Sequence, residues 1–254
     1  MFSQQNLLHF INQGRRSFNT TKEIEMMKNM MKTACAIAVL AASANVMAES
    51  VDLVVKGTIA PIACKANLAG GGVIDYGVIS PESLKADAFT NLPQKLTNLT
   101  VTCDSPAKIA IGVTNNRVGS ILGRPELQEW SYPTTGAKLF NYATFPALGL
   151  GMANGKPIGA WGARFNDGLA DGAAAAIIGT TNKGATWGLD GYMYADTARN
   201  TLKTLAKTGE VVPMAAKVFS YDIMVEAYIN KTTDLDLTKP IALDGSATLE
   251  LVYL

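Results

Sequence analysis

Histidine is nearly absent from this chain. The single imidazole, His9, sits in an N-terminal stretch expected to be removed. Without it a Ser-His-Asp triad, a Cys-His dyad and histidine metal sites are all excluded. Cysteine is scarce as well, with three in 254 residues. Cys35 belongs to the same leader, which leaves Cys64 and Cys103. No further soft ligand accompanies them, so a metal pair is disfavoured. Long apolar runs are missing too. Ala34 to Val46 is the best one, and it falls short of the roughly 20 residues that cross a bilayer. No basic patch stands out, which argues against a nucleic-acid partner. No repeat of fixed period is visible, and no cofactor motif. Gly70-Gly71-Gly72 lacks the Gly-Lys-Ser/Thr of a phosphate cradle. With no gathering of acid, base and nucleophile, the chain is expected not to be an enzyme.

What is present begins with a leader. Lys28 and Lys32 precede the Ala-rich run, which closes at Val46-Met47-Ala48 with the small residues of a secretory cleavage site. Cleavage is expected between Ala48 and Glu49, with residues 1–48 as leader and signal peptide. Residues 1–25 carry no fold signal, and the translation start is expected at Met26, Met27, Met30 or Met31; an extended signal n-region is the alternative. Five of the 22 basic and two of the 21 acidic side chains leave with the leader, so 17 basic and 19 acidic remain, a net charge of −2 over 206 residues. No membrane span is expected in residues 49–254, which form one domain. An even cysteine count in an oxidising compartment reads as one disulfide, Cys64–Cys103, with two buried free thiols as the alternative.

The hydrophobic pattern has the period of strands. Val51, Leu53 and Val55 alternate with Asp52, Val54 and Lys56. Val73 to Ile79 reads as a strand, and Pro81 opens at most one helical turn. Leu96, Leu99, Val101 and Cys103 lead to a turn, and Ile109, Ile111 and Val113 form the next strand. From about 117 to 215 glycine is dense and aromatic residues come singly. There Asn154-Gly155 predicts a hairpin, and Ile158 to Phe165 its returning strand. Residues 171–179 are ambiguous between a short helix and a small-residue loop, and residues 199–207 between a helix and a strand with a basic outer face. Val218 to Ile229 is the clearest long strand, its apolar face made of Phe219, Tyr221, Ile223, Val225, Ala227 and Ile229. Ser246 to Leu254 is a last alternating strand on which Ala247, Leu249, Leu251 and Tyr253 share a face. Short strands between Gly, Pro and Asn turns predict an all-β sandwich.

At Gly57-Thr-Ile-Ala-Pro-Ile-Ala-Cys64 the chain resembles the opening of a chaperone–usher pilin subunit. Leu99-Thr-Val-Thr-Cys103 and the penultimate Tyr253 extend the likeness, which covers roughly 49–115 and 218–254. The central stretch, with Gly70-Gly71-Gly72 and Leu148-Gly-Leu-Gly-Met152, is similar to the fimbrial-like periplasmic proteins of the GltF type in enterobacteria. The resemblance implies an immunoglobulin-like, pilin-type antiparallel β-sandwich with the Cys64–Cys103 bridge and a large insertion at about 117–215. It implies a structural or adhesive fimbrial subunit, in the periplasm or at the cell surface, that assembles by strand complementation. Its expected partners are a periplasmic chaperone and other pilin-like subunits. Val51, Leu53 and Val55 would be the donated face; Ala247, Leu249, Leu251 and Tyr253 would form the C-terminal pairing strand. The alternative is a self-contained soluble periplasmic protein with a binding or regulatory role, tied to nitrogen or glutamate metabolism. No catalytic residue, metal ligand or cofactor is implied.

Overall fold

The computed structural model describes residues 53–56, 63–123 and 130–254. The chain divides into two compact units, residues 1–57 and 58–254. Of the first, Leu53–Lys56 are described; Leu53, Val54 and Val55 are exposed. Val51 and the cleavage pair Ala48 and Glu49 lie outside the described residues.

The second unit is all-β, with no α-helix among the described residues. Its strands are β1 (Cys64–Leu68), β2 (Thr90–Asn91), β3 (Lys95–Ala107), β4 (Ile109–Asn115), β5 (Leu148–Gly149), β6 (Met152–Ala153), β7 (Lys156–Pro157), β8 (Gly159–Ala170), β9 (Ala173–Thr180), β10 (Gly188–Leu189), β11 (Leu202–Lys207), β12 (Ala216–Ile229) and β13 (Ala247–Tyr253). Eight of them form one continuous path, β1-β3-β12-β8-β9-β11-β4-β13, and each neighbouring pair on it is antiparallel. The sheet curls until it is nearly a barrel. Its two end strands meet at one point, where the Cys64 N–H donates to the Tyr253 hydroxyl at 2.9 Å.

The concave face holds the main core. Val101, Ile109, Ile111, Phe165, Leu205, Phe219, Tyr221 and Ile223 pack there. The alternation of β12 dictates this. Its odd-numbered residues from Phe219 to Ile229 are all buried, and the last two join a smaller cluster with Leu92, Leu150 and Ile158. The opposite face of β12 is also covered. Leu139, Phe140, Phe145 and Ala147 lie over Ala160 and Tyr228. Glu226 is buried there and accepts from the Phe140 N–H at 2.6 Å, Asn91 Nδ2 at 2.8 Å and Gln94 Nε2 at 3.1 Å. A charge tolerates such burial only when its lone pairs are satisfied in this way. Close approach of β8 to β12 requires Gly159, since a Cβ there would lie 1.9 Å from the Tyr228 carbonyl oxygen.

Several elements depart from the sequence pattern. The glycine- and aromatic-rich stretch supplies β8, β9 and β11, which sit between β12 and β4 in the sheet itself. Residues 171–179, ambiguous in sequence, contain most of β9, whose small side chains pack against β11. Residues 202–207 are a strand, and Lys203 on it is buried instead of facing water. Its ammonium reaches Asp190 Oδ2 at 2.6 Å and lies 5.0 Å from the centre of the Tyr194 ring. Burial lowers the Lys203 pKa, while Asp190 opposes that shift. Residues 73–79, read as a strand in the sequence, belong to no strand; an Asp75 turn with Gly77 at positive φ interrupts them.

Candidate functional site

The curl of the sheet leaves a groove of about 920 Å³ between β13 and the segment 68–79 that leaves the end of β1. Its walls follow from local sequence. One wall begins with Leu68 at the end of β1. The chain then turns through Gly70, Gly71 and Gly72, all with positive φ, a conformation that glycine adopts without steric cost. From there it runs along residues 73–79. Ile74, Tyr76 and Ile79 are half-buried towards the core, while Val73, Asp75 and Val78 face solvent. The second wall is β13 with the loop 237–246 before it. Ala247, Leu249 and Leu251 are half-buried and rest on the main core. The floor is Ala163, Ile223, Val225, Ala227 and Ile229.

Both walls carry free backbone. β13 is hydrogen-bonded to β4 along one edge, in the register Ala247↔Asn115 through Tyr253↔Ile109. Among the described residues its other edge has no strand partner. Residues 74–79 make no backbone–backbone hydrogen bond among the described residues. The Gly77 N–H is taken by Asp75 Oδ1 at 2.7 Å, which kinks the wall without closing it. An unpaired strand edge on β13, facing a segment whose backbone is also unpaired across an apolar trough, can template one more strand.

The two ends of the groove differ. Beyond Leu68 and Leu249, where the lining ends, the two end strands are joined by the Cys64 to Tyr253 bond, with the disulfide beside it. Cys64 and Cys103 are directly opposed in the β1–β3 ladder, with Cα atoms 4.0 Å apart. The other end is open, and its rim is the loop 237–246. Asp244 fixes that rim: its carboxylate accepts from Arg117 Nε at 2.7 Å and Nη2 at 2.6 Å, and its N–H donates to the Leu150 carbonyl at 3.0 Å. The Arg117 hydrogen bond holds the Asp244 carboxyl below its ordinary pKa. Gly245 lies flat on Trp161, where a Cβ would come within 2.8 Å of the indole nitrogen. Trp161 in turn donates to the Gly149 carbonyl at 2.9 Å. On the opposite wall the Tyr76 hydroxyl is buried without a partner. Its pKa is pushed up to about 12 by burial first and by the Glu226 charge second.

The structure thus forms the Cys64–Cys103 disulfide and sets Ala247 and Leu249 along the groove, with Leu251 packed on the core further along β13 and exposed Tyr253 bonded to Cys64 beyond it. Leu53 and Val55 are exposed in the first unit. Trp161, Tyr76 and the 237–246 rim did not stand out in the sequence. The Ile74/Tyr76 alternation was visible, but alternation does not tell a paired strand from an unpaired one.

A family described as "Protein of unknown function (DUF1120)" matches residues 53–162. Protein GltF of Escherichia coli (strain K12) is 30% identical over 253 residues, covering 89% of this chain and 98% of that protein. "Uncharacterized protein YhcF" of the same organism is 29% identical over 222 residues, covering 82% of this chain and 92% of that protein. The chain belongs to the GltF family.

Proposed function

We propose that this member of the GltF family is an exported, pilin-like subunit that assembles by β-strand complementation. In this reading the second unit is an immunoglobulin-like sandwich short of one strand, and the open groove between residues 68–79 and β13 is the vacancy. The observation that carries the proposal is the coincidence of an apolar floor with two unpaired backbone edges. A donated strand places alternate side chains on the floor and hydrogen-bonds to both walls. The sequence from Glu49 to Lys56 has that alternation, with Val51, Leu53 and Val55 at every second position. Eight residues at about 3.3 Å each reach about 26 Å, and seven-residue β13 spans about 23 Å.

The closed end sets a direction. A donor attached to another folded subunit has that subunit beyond Lys56, so Lys56 must leave through the open end. The donor then runs antiparallel to β13. In the periplasm a chaperone strand would hold the groove until a second subunit replaces it.

A second reading is a self-contained periplasmic protein with a binding or regulatory role. The aromatic end of the groove, with Trp161 and Tyr76 among its lining residues, favours it to the extent that such a trough also holds a small apolar ligand. The test is to express the full chain with its leader, with and without residues 49–56, and to examine size and thermal melting. Subunit ladders, or insolubility relieved by a periplasmic chaperone, support assembly if deletion abolishes the ladders but leaves a subunit that takes up a synthetic 49–56 peptide. A stable monomer whose melting temperature drops on deletion would mean the strand is its own, and would end the assembly proposal.

A further inference from the structure

Among the described residues Arg164 is a cation without an anion. It lies in β8, opposite Met224 of β12 on one side and bridged to Tyr192 on the other. Its guanidinium carbon is 5.1 Å from the centre of the Phe140 ring. Its Nε is buried and has no hydrogen-bond partner. Nη2 has the Met224 thioether at 3.8 Å, a weak acceptor. None of the three ion pairs among the described residues includes Arg164.

Among the described residues the neighbouring acids have partners of their own. Glu226, two residues from Met224 and on the same face of β12, is filled by its three donors. Asp190, two residues before Tyr192, holds Lys203. Asp167 accepts from Asn166 Nδ2 at 2.6 Å. Arginine offers its donors in a planar fork that matches a carboxylate, and leaving a buried donor unpaired carries a cost. The surroundings are apolar. Phe140 packs tilted against Phe145 at 4.5 Å between ring centres, and Phe145 tilted against Tyr192 at 5.0 Å.

We propose that Arg164 anchors a small organic acid, binding its carboxylate through Nη2 and Nε, with the apolar body of the acid against Met224 and Tyr192. Met224 is the side chain that yields, because an unbranched thioether repacks readily. Alternation along β8 and β12 puts Arg164 and Met224 on the face opposite Phe165 and Ile223 of the core, so this site is separate from the groove and does not depend on strand exchange.

The test uses the full chain and sodium benzoate as probe, with neutral benzamide as control at equal ionic strength. The expected result is a saturable rise in melting temperature with benzoate and none with benzamide. Arg164→Gln should abolish the rise, and Arg164→Lys should weaken binding at least tenfold. The Arg164 Nε–H resonance of the unmutated protein should shift along the same titration curve, a readout that survives if a variant fails to fold. A non-saturating response, an equal response to benzamide, an unchanged response in Arg164→Gln, or an Nε–H resonance that stays put would overturn the proposal.

Discussion

Replacing both Cys64 and Cys103 by serine should remove much of the stability of the second unit and undo the groove with it. The two residues are 39 apart in sequence. In the chain-entropy treatment, closing a loop of that length restricts the unfolded chain by about 4 kcal/mol. That is a large share of the ~5–15 kcal/mol that usually holds a domain together. The local structure gives no substitute. β1 is five residues long and, among the described residues, pairs with β3 alone. Its central residues Lys65, Ala66 and Asn67 are exposed, and Cys64 and Leu68 are only half-buried. Such a strand has little apolar surface to hold it once the crosslink is gone. Urea unfolding of the double variant is the assay. With a slope of about 2 kcal/mol per molar, the midpoint should fall by about 2 M. Below that midpoint the variant should still show the spectrum of a β protein yet take up the 49–56 peptide poorly, because the Cys64 to Tyr253 closure goes with β1. A midpoint lowered by less than about 0.5 M, with peptide uptake intact, would refute the claim that the crosslink, and not packing, holds this wall.

Glu226→Ala should cost at least about 2 kcal/mol, since it strands the buried Phe140 N–H; urea unfolding checks this, and a neutral result would mean that water satisfies those donors. Gly159→Ala should cost about 1–3 kcal/mol by pushing β8 off β12, visible as a lower melting temperature. Alkali should destabilise the protein through Tyr76 and Tyr194. Both pKa values are raised from 10.0 to about 12, chiefly by burial. The folded state therefore keeps protons that the unfolded state loses. Their contribution is complete below pH 10 and is lost as the pH climbs through about 12. Tyrosinate absorbance followed beside circular dichroism should show part of the phenol titration coinciding with unfolding.

Much of the fold was legible wherever large apolar residues recur at every second position. The apolar set of β12, the Ile109/Ile111/Val113 set of β4 and the Ala247/Leu249/Leu251 set of β13 are placed as the period of two requires. Legibility failed where both faces are covered. Glu226 and Tyr228 looked like the solvent side of β12, but the 139–147 segment lies over them. It failed again for β9, because Ala-Ala-Ala-Ala has no alternation to read. The groove was only half legible. One strand's sequence announces the wall it forms, whereas a missing neighbour is a property of the whole sheet.

The contact between Cys64 and Tyr253 joins residues 189 positions apart. Chains dominated by pairings of such high contact order fold slowly, because loop entropy is lost before any contact compensates for it. β1 and β3 can pair early, but β3 then waits for β12, which is synthesised more than a hundred residues later. β4 keeps an open edge until the last seven strand residues arrive. For most of its synthesis, then, this polypeptide presents bare strands, and the half-made sheet is more prone to aggregate than the finished one.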